Sequence, residues 1–344
     1  MNKVRFAIIG CGGIAAKHAI AIGQTPNAEL VACCDQIKES AVRFAEANKL
    51  QAFDTYEELL ASDTVDAVSI CTPSGLHTPQ AIQAIQAGKH VLLEKPMSLT
   101  LAEADRLIGA AEQADVKVGV ISQFRFSPAV VEVRRAIEAG ALGRITSGSL
   151  QMKYWRSKEY YASGAWRGTW ALDGGGALMN QGIHGVDIFR YLMGAPKTLT
   201  GYARTQIHDI EVEDSAVAIV EFEDGAIGTI EGSTACYPGY PRRVEICGDK
   251  GSIVLEEDAI LKWDVDLPCQ LPVGKPPENV GSSDPMAISV AGHVRHFVNF
   301  TNAVLHDEPL LADARIGRLP LEIILSIYES SRTGRPVNME EVRR

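Results

Sequence analysis

Two side chains have the type and setting to move a proton. Lys95 stands in Glu94-Lys95-Pro96, directly after the apolar run 90–93. If that run is a parallel strand, its carboxyl end is where open α/β sheets hold their ligands. A lysine desolvated there can donate or accept a proton, or hold a reacting hydroxyl by hydrogen bond. Spacing alone equally allows a surface lysine beside a turn-forming proline. His184 lies in the stretch 173–187, where Gly174, Gly175 and Gly176 precede apolar positions Met179, Ile183, Val186, Phe189 and Met193 that step by three and four. Such stepping predicts a helix, with Asn180 and His184 one turn apart on a shared face. That face could be presented to a cleft, or the histidine could be packed in a core behind a capping turn.

A third constellation could bring a cofactor. The apolar run 4–9 ends in Gly10-Cys11-Gly12-Gly13-Ile14-Ala15 and passes directly into a helix-compatible segment. In the spacing Gly10-x-Gly12-x-x-Ala15, Gly10 permits a tight turn, Gly12 lets backbone N–H groups approach a pyrophosphate, and Ala15 allows close helix–strand packing. The new helix would face the phosphates with unpaired donors and the positive end of its dipole. Alone, the spacing also fits a plain strand–turn–helix unit. Asp35 tips the balance, because it closes a second apolar run, 30–34, where a carboxylate accepts bonds from adenosine ribose hydroxyls. That carboxylate would repel the 2′-phosphate of NADP, and it is followed by Gln36 and Ile37 rather than arginine, with Lys38 nearby. NAD is expected, NADP less so.

Other clusters promise less. His208, Glu211, Glu213 and Asp214 lack the convergent spacing of a zinc site and read as solvated loop charge, so no metal is expected. His293 and His296, three apart on a predicted helix, read as surface or substrate-adjacent groups. Trp155, Trp166 and Trp170 with Tyr154, Tyr160 and Tyr161 precede the glycine turn and fit either a sugar-facing wall or loop packing.

Two kinds of architecture must position these groups. Up to about residue 122, short apolar runs (67–71, 90–94, 116–121) alternate with helical stretches (39–48, 78–87, 101–114), and Thr55 is placed to cap a further short helix. This alternation predicts a doubly wound parallel sheet, an α/β dinucleotide-binding domain over 1–122. After a bridging helix at 130–139 the pattern turns mostly to β. A long strand is expected at 145–154, a hairpin joins 216–222 to 226–230 across Asp224-Gly225, and a second turns at 248–251. Residues 267–285 read as a loop or lid, followed by helices at 287–305 and 318–331, the latter with Pro320 in its first turn. The expectation for 123–344 is an α+β domain with a largely antiparallel sheet, whose C-terminal helices could pack back on the first domain.

A length of 344 residues suits two domains. The hydrophobic fraction of 46% with 22% charged is that of a globular protein rather than a disordered one. A net charge of −10 argues against nucleic acid or an anionic membrane as partner. The seven scattered cysteines read as buried thiols in a reducing compartment. Lys3 and Arg5 before an apolar run imitate a signal peptide, but that run is short and interrupted by glycines. No apolar run reaches the ~20 residues that span a bilayer, so the expected location is the cytoplasm.

The fingerprint at 10–15, the segment Thr72-Pro73-Ser74-Gly75-Leu76-His77, Glu94-Lys95-Pro96 and the stretch from Gly175 to His184 follow one another in order. Together with Val212-Glu213-Asp214 and the turn Asp249-Lys250-Gly251-Ser252, they resemble the glucose–fructose oxidoreductase / inositol 2-dehydrogenase / rhizopine-catabolism (Gfo/Idh/MocA) family over nearly the whole chain. The resemblance implies a Rossmann domain and an open-faced antiparallel sheet that builds homodimers or homotetramers. It implies reversible oxidation of a secondary alcohol on a sugar, inositol or sugar derivative, with Lys95 and His184 catalytic. Cofactor contacts would come from Gly10, Gly12, Gly13, Ile14, Asp35, Thr72, Pro73, His77, Glu94, Lys95 and Gln123. Substrate contacts would come from Lys95, Arg125, Trp166, Asn180 and His184, Arg125 meeting a substrate carboxylate or the cofactor. Many inositol dehydrogenases carry Asp where this chain has Asn180, and an amide cannot relay a proton. Asn at this position is similar to members that oxidise C3 of nucleotide-linked sugars. The same resemblance leaves open a glycosidase with transient redox and a non-catalytic sugar sensor, while a biliverdin-reductase-like activity suits the polar His184 helix poorly.

Overall fold

A strand buried on both faces needs apolar side chains along its whole length, and the short runs of the first half meet that need. The computed structural model describes residues 3–274 and 289–343. It begins with β1 (Val4–Ile9), α1 (Gly13–Gly23), β2 (Ala28–Cys34), α2 (Lys38–Asn48), β3 (Gln51–Phe53) and α3 (Tyr56–Ala61). There follow β4 (Ala67–Ile70), α4 (His77–Gln86), β5 (His90–Leu93), α5 (Leu101–Gln113) and β6 (Val118–Val120). All six strands lie in one parallel sheet of order β3-β2-β1-β4-β5-β6. The chain reverses its winding at β1 and β4, the place where such sheets open a crevice at their carboxyl ends. Thr55 and Thr100 start α3 and α5 by accepting from the amides of Glu58 and Glu103, each at 3.2 Å.

The second half adds α6 (Pro128–Glu138), β7 (Ile145–Lys153), α7 (Lys158–Ala162), a π-helical segment Ala177–Gly182, and α8 (Ile183–Met193). Strands β8 (Pro196–Arg204), β9 (Ser215–Phe222), β10 (Ile227–Ser233), β11 (Arg243–Gly248), β12 (Ser252–Glu256) and β13 (Ala259–Asp264) lead to α9 (Ala291–His306), α10 (Ala314–Thr333), β14 (Val337–Asn338) and α11 (Met339–Arg343). The eight strands order as β13-β12-β11-β7-β10-β9-β8-β14, antiparallel throughout except for β7 beside β10. Alternation sorts the two faces. Ala216, Ala218, Val220 and Phe222 are buried, with Phe189 of α8 edge-on to Phe222, whereas Val217 and Ile219 are exposed.

The chain divides into two compact units, residues 1–123 with 289–318, and residues 124–288 with 319–344. In the first, Phe6 of β1 packs against Phe297 and Phe300 of α9, in a core that also holds Ile8, Ala15 and Ile22.

Three expected helices differ. The helix expected through 177–193 is π-helical up to Gly182 and α-helical only after it. The last long helix starts at Ala314 rather than 318, so Pro320 lies inside it rather than in its first turn. Asp313 caps it by accepting from Ile316 N at 2.8 Å, and Gly317, which reads as a breaker, allows close packing: a Cβ there would stand 2.6 Å from Val120. The helix expected from 287 starts at Ala291; residues 287 and 288, and the expected loop from 275 to 285, lie outside the described residues.

Candidate active site

In the first unit the cofactor residues gather at the carboxyl ends of β1, β2, β4 and β5. Gly10 takes φ +87°, and a Cβ on it would come within 2.9 Å of Cys71 and Thr72 backbone atoms, so only glycine makes this turn. Above Gly12 and Gly13 the space is open, and no side chain caps the start of α1. These are the features a pyrophosphate requires there. Ile14 packs against the core below. Asp35 follows β2, half-buried, accepting from Cys11 N at 2.7 Å and Ile37 N at 2.8 Å. Its carboxylate is thereby fixed beside the turn, and the set fits a dinucleotide.

Thr72 and Pro73 follow β4, with Thr72 Oγ1 donating to Gln80 Oε1 at 2.6 Å. His77 is buried, its ring nitrogens 2.7 Å from Pro96 O and 2.8 Å from Thr72 O. Burial lowers its pKa, opposed by those carbonyls. It ties the loop after β4 to the one after β5. Gln123 is also buried. Lys95 is half-buried, just past the end of β5.

Beneath Lys95 lies a network that sequence reading missed. His18 of α1 is fully buried, its Nε2 2.8 Å from Glu94 Oε1 and its Nδ1 2.7 Å from Ser69 Oγ. Glu94 Oε2 accepts from Lys95 N at 3.1 Å. Burial disfavours the charged forms of both partners, but their environment prevails. Cys71 and Glu94 raise His18 to about 10, while His18 holds Glu94 well below the usual carboxylate range. Glu94 is therefore turned inward, onto α1 and the Lys95 backbone. His293 completes the group, with ligand-type atoms of all three residues within 4.8 Å of one another. Burial, with His18 beside it, lowers His293 to about 4. The surface reading of His293 and His296 is thus corrected: both are buried, because α9 packs into the core of this unit. The two residues are 76 apart in the chain, so no local spacing in the sequence signals the pair.

In the second unit, His184 opens α8 and Asn180 sits in the π-helical segment, both half-buried. His184 lies edge-on to Phe124 at 5.3 Å, and Phe124 in turn carries the Arg242 guanidinium at 4.2 Å. Asn180 Nδ2 donates to Asp173 Oδ1, and its Oδ1 accepts from Gln181 Nε2 at 2.9 Å. A carboxylate is therefore present next to the amide, supplied by buried Asp173. Arg125, expected at a substrate, is 3% exposed and forms a bidentate pair with Asp187 at 2.8 and 2.6 Å over the Tyr191 ring. Its guanidinium braces α8 through this pair.

The acidic loop is corrected too. Asp214 and Glu213 are buried, not solvated. Asp214 accepts from the amides of Gln206, Ile207 and His208. Glu213 accepts from Gly176 N at 2.9 Å, Leu178 N at 2.8 Å and Tyr328 Oη at 2.7 Å, capping the π-helical segment. Burial outweighs these donors and pushes its carboxyl up to about 7. The aromatic cluster divides. Trp170 packs on Tyr328, Trp155 on Tyr237, and Trp166 with Tyr160 lies against Arg167.

Residues 4–122 match the model of an oxidoreductase family with an NAD-binding Rossmann fold, and residues 130–254 match the GFO/IDH/MocA C-terminal domain. The scyllo-inositol 2-dehydrogenase (NAD(+)) of Bacillus subtilis (strain 168) is 32% identical over 269 residues, 74% of each chain. The D-glucoside 3-dehydrogenase of Escherichia coli (strain K12) is 26% identical over 98% of each. The crystal structure of the WlbA dehydrogenase from Bordetella pertussis, in complex with NADH and UDP-GlcNAcA, is similar at TM-score 0.87 and 33% identity, over 98% of this chain and 99% of that one. On this fold, this site and these matches, the chain belongs to the Gfo/Idh/MocA oxidoreductases, built on an NAD-binding Rossmann domain.

Proposed function

We propose that the protein is an NAD-dependent dehydrogenase that interconverts a secondary alcohol and a ketone on a sugar, inositol or sugar derivative. The observation that carries this is Lys95 at the carboxyl end of β5, in the same parallel sheet whose β1 ends in the Gly10 turn. Bound NAD supplies the hydride acceptor at nicotinamide C4. Gly12, Gly13 and the start of α1 hold its pyrophosphate, Asp35 its adenosine ribose, and Thr72, Pro73, His77 and Gln123 shape the nicotinamide end. Lys95 and His184 divide the proton work: one removes the hydroxyl proton, the other orients the oxygen and steadies its developing charge. Asn180 and Trp166 contact the sugar. The inositol and glucoside named for relatives carry the secondary alcohols this chemistry needs.

A screen of sugars, inositols and sugar nucleotides with NAD, followed by the absorbance of reduced nicotinamide, tests the reading; reduction by none of them overturns it. With a substrate in hand, Lys95→Ala lowers kcat by about 10²–10⁴, and turnover near wild type excludes the lysine role. Asp35 makes kcat/KM with NAD at least about tenfold that with NADP, and comparable values contradict its assignment.

We place the protein in the cytoplasm as a homodimer or homotetramer. All seven cysteines are unbridged, and no described helix is long and apolar enough to cross a membrane. Tyr202, Val217, Ile219 and Ile227 expose apolar surface on one face of β8, β9 and β10, and a contiguous exposed apolar patch marks an interaction surface.

A further inference from the structure

Arg242 and Arg243 stand side by side at the start of β11, and strand alternation sends them to opposite faces. Arg243 is half-buried and pairs with Glu245 at 2.6 Å and Glu256 at 3.6 Å. Arg242 is 3% exposed. A guanidinium taken out of water needs a carboxylate in direct contact, as Arg125 has in Asp187. Arg242 has a looser arrangement. Its Nη2 stands 3.6 Å from the Glu257 carboxylate and 3.8 Å from that of Asp258, and donates instead to the Glu257 carbonyl oxygen at 3.2 Å. Glu257 Oε1 is engaged by the backbone amide of Arg242 at 2.7 Å. Burial works against the charge of Arg242, but Glu257, Tyr154 and Asp258 outweigh it and raise its pKa above the ordinary arginine value. The guanidinium lies on a ring, its carbon 4.2 Å from the centre of buried Phe124.

Both ends of this side chain bear on His184. The outer end holds Phe124, whose ring centre is 5.3 Å from that of His184 at an interplanar angle of 73°. A phenylalanine ring turns over a broad torsional range when nothing holds it, and a cation against its face favours one orientation. The edge-to-face contact passes that orientation to the imidazole. The inner end packs under the backbone next to His184. A Cβ on Gly185 would stand 3.2 Å from Arg242 Cδ and 2.4 Å from Met152 Sδ, and one on Gly182 would stand 3.0 Å from Met152 Cε. Glycine before and after His184 thus lets the start of α8 settle onto β7 and the Arg242 stem. In a packing this close, a shift of the stem moves the histidine.

We propose that Arg242 is a positioning residue for His184: through Phe124 and Gly185 it holds the imidazole in the orientation that serves the substrate hydroxyl. This rests on the reading that His184 works on a sugar alcohol. Arg242 acts only through its neighbours, so its removal lowers the rate of the chemical step and leaves cofactor binding alone.

Three variants test this. Arg242→Met keeps the stem and loses the cation, Arg242→Lys keeps both in part, and Phe124→Leu loses the ring while keeping an apolar side chain. With a sugar that reduces NAD, kcat is expected to fall about 10- to 100-fold in Arg242→Met and in Phe124→Leu and to recover in part in Arg242→Lys, with the KM for NAD within about twofold of wild type. The Arg242→Met/Phe124→Leu double variant loses no more than the worse single variant, because both remove one path. A second measurement needs no substrate. In NADH-loaded protein carrying 13Cε1-labelled histidine, the His184 resonance, identified by its loss in His184→Gln, is displaced by the Phe124 ring and moves in the same direction in Arg242→Met and Phe124→Leu. Wild-type kcat in Arg242→Met, losses that add in the double variant, a KM for NAD that rises in step with the loss of kcat, or a His184 resonance indifferent to Arg242 overturns the proposal. Should Arg242→Met fail to fold, the same comparisons are made with Arg242→Lys and Phe124→Leu. An Arg242-dependent resonance with no NAD reduction by any sugar counts against the dehydrogenase reading alone. NAD reduction with resonance and kcat both indifferent to Arg242 counts against the positioning role alone.

Discussion

His18 and Glu94 form a buried ion pair under the backbone of the residue assigned to proton transfer. Breaking such a pair leaves one charge buried without compensation, so Glu94→Ala lowers unfolding free energy by about 3–5 kcal/mol, measured by denaturant titration. The pair also gives stability a pH profile. Glu94, held below its usual 4.5, contributes above that value and loses its contribution as pH falls. His18, raised from 6.5 to about 10, contributes fully below 6.5 and loses its contribution as pH rises through 10. Cys71, His293, Lys17 and Lys95 also face the pair. The wild type is therefore expected to lose Tm between pH 7 and 10, and His18→Gln to flatten that limb; an equal slope in both proteins would exclude the assignment. The strand-end positions of Lys95 and Asp35 were legible because each follows an apolar run in the chain itself. His18, on helix α1, was not, since its partner Glu94 follows β5 far along the chain and only folding brings the two together. The Arg125 pair with Asp187 was not legible either, because a charged residue next to a strand end looks the same in sequence whether or not a carboxylate lies over it.

At the scale of elements, the glycines at 174–176 mark an irregular helix start that the three-and-four apolar stepping hid. The stepping is shared by α- and π-turns over so short a span, and the cap comes from Glu213, far along the chain. A Cβ on Gly176 would stand 1.9 Å from the Glu213 carbonyl oxygen, so Gly176→Ala must displace either the segment or the Glu213 strand end. Glu213→Gln keeps one acceptor for the Gly176 and Leu178 amides and loses the other. It is expected to lower kcat several-fold with little change in the KM for NAD, whereas Glu213→Ala also lowers Tm. Equal kinetics in wild type and both variants would leave the cap without influence on His184. The parallel sheet and both hairpins were readable from alternation and from Asp224-Gly225. The early start of α10 was not, because Gly317 reads as a break unless the closeness of Val120 is known.

For the whole molecule, the exposed side chains of β8 to β10 are the surface on which the proposed assembly is tested. Ile219 is 64% exposed beside Thr200 and Thr229 on the neighbouring strands. If this face is the proposed two-fold interface, a lysine there brings charge into it at high cost. Ile219→Lys is expected to shift the mass measured by light scattering to that of one chain; a wild type already of that mass would remove the oligomer from the reading. The change from alternating α/β to mostly β was visible in the pattern of apolar runs, while the extent of the return to the first unit, residues 289–318, which the sequence left only as an open expectation for the C-terminal helices, depends on packing.

That return has a consequence for biosynthesis. A ribosome finishes residues 1–123 on the order of tens of seconds before it reaches residue 318, at about 5–20 residues per second. During that interval Phe6 and its neighbours have no Phe297 or Phe300 to cover them. The nucleotide-binding unit, although it starts earlier in the sequence, is therefore completed late, and its nascent sheet exposes apolar surface until then. A fragment ending at residue 123 is expected to be recovered as aggregate, and adding the 289–318 segment in trans or by fusion should restore solubility.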